Sequence, residues 1–270
     1  MRVIVSHDVD HITAWEHTRD LIIPKFVIRN FIEYELGYIS GSEVWKRLKS
    51  IVQNKWQNLD ELMAFDREHD VPSTFFLAVN NGKGLSYSVS DAEFWVKRIL
   101  KKGFGVGLHG IGYKNLGSIK REYETFKRLS GLEEFGIRMH YLMNSNETVK
   151  FFNELEYLFD STRYEMKNPY KIGKLWEFPL HIMDGYLLFK KSKWQNQNVD
   201  QAKELTKRTL EEAWRKNIRY FTILFHDRYF SDAYVTLKNW YVWFIEYAIH
   251  NGLTFMDFKQ AIREMKSLTT

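Results

Sequence analysis

The feature that most restricts the fold is a short apolar run that stops at ionisable side chains, followed by a helical stretch and then another such run. It is sharpest at the start, where Val3-Ile4-Val5 reads as a buried strand and gives way to His7, Asp8, Asp10 and His11. The run from Pro72 to Val79 ends in the loop Asn80-Asn81-Gly82-Lys83-Gly84, and Phe104 to Leu108 ends at His109. Gly136 to Tyr141 carries Arg138 and His140, Leu158-Phe159 meets Asp160, and Tyr220 to Phe225 ends at His226-Asp227. Helical patterns lie between, one from Asp91 closed by Gly103, others near 118–129, 146–155, 200–216 and 233–249. Strands that alternate with helices call for an α/β fold with a parallel sheet, and about seven of them for a barrel or a near-closed one. In a parallel barrel the carboxyl ends of the strands share one face, so side chains far apart in sequence converge there.

The chain reads as one domain, 1–270, with a long helical insertion at about 12–70. Ser42 precedes an amphipathic Val44 to Val52, and Asn58 precedes Leu59, Leu62, Met63 and Phe65 at helical spacing. A connection of that length is suited to covering the mouth of a site or pairing with another subunit. No cysteine is present, which excludes disulfides, thiolate metal sites and a cysteine nucleophile, so any metal must use His, Asp, Glu or water. The net charge of +5 is spread among nearly as many acids as bases, with no basic block, so nucleic acid is not an expected partner. Tyr241 to Ile249, the most apolar late stretch, is short and carries Glu246, so no membrane span is expected. The first residues lack the profile of a signal peptide, and the expectation is a cytoplasmic protein of unspecified oligomeric state. The glycines of Asn80 to Gly84 lack the spacing of a phosphate loop.

Taken in order, these strand ends resemble the polysaccharide deacetylases, carbohydrate esterase family 4. Ser6-His7-Asp8-Val9-Asp10 stands where that family has Thr-Phe-Asp-Asp-Gly, and Pro72-Ser73-Thr74-Phe75-Phe76 where it has Ala-Thr-Phe-Phe. Gly103 to His109 is similar to Gly-His-Glu-Ile-Gly-x-His, Arg138-Met139-His140-Tyr141 to Arg-x-Pro-Tyr, and Leu224-Phe225-His226-Asp227 to the terminal Leu-His motif. Phe159-Asp160-Ser161-Thr162 also has a familial look, although Asp160 reads equally well as a turn cap.

The resemblance implies a distorted (β/α) barrel and a metal-dependent N-deacetylase acting on an N-acetylated saccharide. It implies that Asp8 is the general base, Asp10 and His109 are metal ligands, Arg138 orients Asp8, His226 is the general acid and the Tyr141 backbone N–H helps hold an oxyanion. The cofactor would be a divalent metal such as zinc. Two departures stand out. Val9 separates the two acids, and Tyr113 occupies the place of a second histidine four residues after His109. A catalytic zinc normally has about three protein ligands, so the third falls to His140, His7 or His11. His17, His69, His181 and His250 read as structural. With no secretion signal, the expected substrate is a nucleotide- or lipid-linked precursor in O-antigen or capsule biosynthesis. Two alternatives remain open: a metal-free hydrolase of another C–N bond, and a degenerate barrel that binds saccharide or scaffolds a biosynthetic complex without catalysis.

Overall fold

The computed structural model describes residues 1–189 and 194–268. Among the described residues, ten strands form one sheet: β1 (Arg2–Val9), β2 (Thr74–Leu77), β3 (Gly105–Gly110), β4 (Ile137–Met139), β5 (Phe159–Asp160), β6 (Tyr170–Ile172), β7 (Leu175–Glu177), β8 (Leu180–Met183), β9 (Tyr220–Leu224) and β10 (Thr254–Phe255). The path runs β6-β7-β5-β4-β3-β2-β1-β9-β8, with β10 beside the start of β1, and every pairing is parallel except β6 with β7. The run 175–183 passes from β5 to β9, since β7 pairs with β5 and β8 with β9. Leu180 also exchanges backbone hydrogen bonds with Arg163 and Glu165, which closes the curled sheet into a distorted (β/α) barrel. The antiparallel partner β6 lies outside this ring and was not anticipated from sequence.

Helices fill the crossovers: α1 (Ile22–Glu35), α2 (Gly41–Val52) and α3 (Leu59–Glu68) between β1 and β2, then α4 (Val89–Lys101), α5 (Leu116–Ser130), α6 (Asn146–Glu154), α7 (Asp184–Leu188), α8 (Val199–Arg215), α9 (Val235–His250) and α10 (Phe258–Ser267). Local chemistry sets their ends. The Ser88 side chain accepts from the Asp91 N–H while Asp91 reaches back to the Ser88 N–H, and Gly103 follows the helix at φ 82. The N-cap of α2 is Ser40 rather than Ser42, because Ser40 and Glu43 satisfy each other's backbone donors. Asn58 does not cap α3 with its side chain; it donates to the Arg228 carbonyl instead. Among the described residues no helix is long and apolar enough to cross a membrane.

Two apolar clusters share out the alternate residues of each strand. Val3, Val5 and Val9 of β1, Phe75 and Leu77 of β2, Val106 and Leu108 of β3, Ile137 and Met139 of β4, and Phe221 and Ile223 of β9 pack outward against the helices. Ile4, Phe76, Phe159, Trp176, Phe178 and Tyr220 form the inner cluster with Phe258 and Ile262 of α10. The same alternation places Asp8, His109, Arg138 and His226 in step with the inner set, above that apolar floor. It also accounts for Val9. In a strand that continues to position 9, two acids share a face only when one residue separates them.

Candidate active site

The end of β1, the end of β3 and the end of β4 meet at three side chains. His109 Nε2 lies 3.2 Å and His140 Nδ1 3.3 Å from Asp10 Oδ1, and the two imidazole nitrogens are 3.0 Å apart. Ligand atoms held about 2.1 Å from one ion are spaced by about 3.0–3.4 Å, so this near-equilateral triangle fits a divalent cation. The proton positions agree. His109 Nδ1 faces the Arg138 carbonyl at 3.1 Å and His140 Nε2 faces the Lys83 carbonyl at 2.9 Å. A carbonyl can only accept, so each ring keeps its proton on the far nitrogen and turns a lone pair toward the other ring. Two lone pairs and a carboxylate repel one another unless a cation sits among them. Asp10 Oδ1 is also buried with no hydrogen-bond partner, the mark of an atom oriented for something other than a protein donor.

Electrostatics follow from this crowding. Burial pushes the Asp10 carboxyl upward, but His109, His140 and His226 more than reverse it and hold it well below the usual carboxylate range. Burial depresses His140, yet the Asp10 carboxylate and the Lys83 carbonyl raise it overall.

Asp8 lies beneath this triangle, 3% exposed. Its Oδ1 accepts from Arg138 Nη1 at 2.9 Å, and Oδ2 stands 3.9 Å from His109 Nδ1. Arg138 is itself fixed, since its Nε donates to the Ser161 carbonyl, its Nη2 donates to Ser161 Oγ, and the guanidinium stacks 4.4 Å over the Phe76 ring. After His140 the chain turns sharply, with Tyr141 and Leu142 both at φ 53, a left-handed conformation that costs about 1–3 kcal/mol at a non-glycine residue and often marks a functional turn.

His226 closes the opposite wall, with Nε2 3.6 Å from Asp10 Oδ2 and Nδ1 2.9 Å from Asp184 Oδ1. Burial alone would strip its proton, but Asp184 first, then Asp10 and Asp8, lift it to about 10. Asp184, at the end of β8, was not singled out from sequence, although it too is an acid directly after a strand, Leu180 to Met183. Asp227, next in the chain, is raised to about 8 by burial and takes the Asn58 N–H. Asp160 pairs with Glu177 across β5 and β7, where burial raises both carboxyls and the Asp160 charge raises Glu177 further, while the hydrogen bond between them works against the rise at Asp160.

The remaining candidates lie elsewhere. His7 points outward with Val5 and Val9, bonded to Asp66 and to the Phe225 carbonyl, so it does not approach Asp10. His11 turns to His17 instead, at 2.8 Å, and His17 is thus not an isolated structural histidine. Tyr113 is packed against the outer core, three residues beyond the end of β3, and the second imidazole beside Asp10 is that of His140, just after β4. The sequence signal was the imidazole two residues after Arg138, in step with it just past β4.

No family model and no curated protein matches the chain. Solved structures do. A protein from Mycobacterium smegmatis assigned to the polysaccharide deacetylases aligns over 99% of this chain and 91% of its own, with a TM-score of 0.69 at 14% identity. One from Pseudomonas aeruginosa PAO1 with the same assignment covers 97% and 89%, with a TM-score of 0.63 at 11% identity. Puue allantoinase covers 97% and 88%, also with a TM-score of 0.63, at 13% identity. Identity to these proteins is 11–14% while the barrels superpose over nearly the whole chain, and the chain carries the fold of the polysaccharide deacetylases.

Proposed function

We propose that the protein is a metal-dependent amide hydrolase that removes an acetyl group from an N-acetylated saccharide, with Asp10, His109 and His140 as the metal ligands. The observation that carries this reading is the pinned tautomers of His109 and His140, which aim two lone pairs and the orphaned Asp10 oxygen at one point. A divalent ion such as zinc bound there supplies Lewis-acid polarisation of the acyl oxygen and lowers the pKa of a water. Asp8, held by Arg138, takes the proton of the attacking water. The backbone N–H of Tyr141 contributes to the oxyanion site. His226, kept charged by Asp184, delivers a proton to the departing nitrogen. Its high value belongs to the metal-free carboxylates; once the Asp10 charge is engaged by a ligand, that contribution falls away and the proton becomes easier to release. Acetate and an amino sugar are the products.

A nucleotide- or lipid-linked saccharide in the assembly of a surface polysaccharide is the substrate class we favour, used by a cytoplasmic enzyme of one domain. The test is acetate release from such sugars after zinc loading. His140→Ala and Asp8→Asn should each lower the rate by more than about a hundredfold, His140→Ala with loss of bound metal and Asp8→Asn without it. Saccharide binding that survives in an Asp8→Asn chain, with no acetate released by the parent from any N-acetylated sugar, would establish the non-catalytic alternative instead.

A further inference from the structure

A second group of ligand-type side chains converges at the start of the insertion. His11 Nδ1, Glu16 Oε1 and His17 Nε2 all lie within 4.8 Å of one another. The imidazole nitrogens are 2.8 Å apart, Glu16 Oε1 is 3.1 Å from His17 Nε2, and it is 3.9 Å from His11 Nδ1. Lengthening the imidazole contact by a few tenths of an ångström and shortening the last one by about half an ångström gives the spacing that a bound zinc imposes on its ligands. The side chains are sequestered from solvent: His17 is 0%, Glu16 6% and His11 15% exposed.

Two of the three, His17 and Glu16, are also oriented from behind. Asp20 Oδ2 takes the proton on His17 Nδ1 at 2.7 Å, which leaves Nε2 turned inward, and Asp20 in turn accepts from the Ile22 N–H and from Ser86 Oγ. The Glu16 carboxylate is aimed by the N–H groups of Ile12 and Thr13. The Trp56 ring covers both imidazoles, at 5.5 Å from His11 and 5.3 Å from His17. A carboxylate behind a metal-binding imidazole is the usual outer arrangement at zinc sites.

We propose that His11, Glu16 and His17 form a second site for a borderline divalent cation of the zinc type, oriented by Asp20. Two imidazoles and one carboxylate suit that class better than magnesium or calcium, which prefer oxygen ligands. Glu16 and Asp20 together offset the charge of the ion. The position defines the role. His11 follows Asp10 directly, whereas Glu16 and His17 lie in a short 3-10 turn, Trp15–His17, that leads into α1, so an ion here fastens the insertion to the end of β1 beside the catalytic triangle.

The proposal stands apart from the amide-hydrolase reading and is tested separately, with zinc as the probe. The chelated protein is reloaded and its metal content measured, with zinc-edge anomalous scattering to place the ions. The expected result is two ions per chain, one of which survives in His140→Ala with its anomalous peak at His17. His17→Ala should lose that ion and keep the one at Asp10. Asp20→Asn, a half-exposed change that leaves all three ligands in place, should weaken zinc at this site by about 10–100-fold, an effect that a merely structural aspartate would not have. A parent chain that takes up one ion, lost in His140→Ala, overturns the proposal and leaves His11 and His17 as a proton-bridged pair. Zinc affinity unmoved by Asp20→Asn overturns the role given to Asp20.

Discussion

Three carboxylates decide the state of His226. Asp184 lies against Nδ1 at 2.9 Å, Asp10 is 3.6 Å from Nε2, and with Asp8 they outweigh a burial that favours the neutral ring and bring the imidazole to about 10. Because the folded value stands above the unfolded one, the stability that this proton confers is complete below the ordinary histidine value of 6.5 and is lost as the pH rises through about 10. A general acid must hold its proton to work, so activity should fall on the alkaline side. Asp184→Asn removes the largest attraction and should move that alkaline limb down by about one to three units, with little change in KM. A pH–rate profile whose alkaline limb is unmoved in Asp184→Asn would remove His226 from the acid role. Asp8, Asp10, His109, Arg138 and His226 were legible in the sequence because each ends or lies within an apolar strand whose period exposes it. Asp184 was harder to find, because Pro179 and His181 break up the apolar run ahead of it. The pairing of His11 with His17 was not legible at all, since it depends on how a loop folds back.

Elements hold these residues in place through close packing rather than through regular length. β4 is three residues long and β5 two, yet β4 carries Arg138 and the residue directly after β5, Ser161, braces it. Gly136, just before β4, lies against the Phe159 ring: a Cβ there would fall 2.2 Å from that ring, which stacks on Phe258 at 4.2 Å. Neither ring has room to yield inside the inner cluster. Gly136→Ala should therefore destabilise the fold by about 1–3 kcal/mol, read from denaturant unfolding, and disturb Arg138 two residues on. An alanine tolerated without loss would mean that β4 shifts freely, which the Arg138–Asp8 contact does not allow. The insertion follows another logic. α1 turns Asn30 and Glu33 inward to Arg47 of α2, at 3.0 and 2.6 Å, while Ile28 and Phe31 are left at the surface. That inversion explains why its apolar pattern marked helices in the insertion without fixing which face they would bury.

Across the whole molecule, the triangle ties β1 to strands that are not its neighbours. Asp10 follows β1, His109 is on β3, and β2 runs between them but ends at Leu77, so an ion there would join β1 to β3 and β4 over the top of β2. Anything that binds only the folded barrel stabilises it, by about 2.7 kcal/mol at a concentration a hundred times the dissociation constant. For a chain of this size each kcal/mol raises Tm by about 2–4 °C. The pH dependence of that gain identifies the ligands. Asp10 is held well below the ordinary range and stays ionised, so the group that protons win first is His140, whose value is raised. The zinc-induced increment in Tm, taken as the difference between the parent chain and His140→Gln, should be greatest on the alkaline side, begin to fall above the ordinary histidine value of 6.5 and shrink steadily at lower pH as His140 takes up its proton. An increment that is constant over that range, or equal in the two chains, would exclude His140 as a ligand and leave the three strand ends joined by a proton alone.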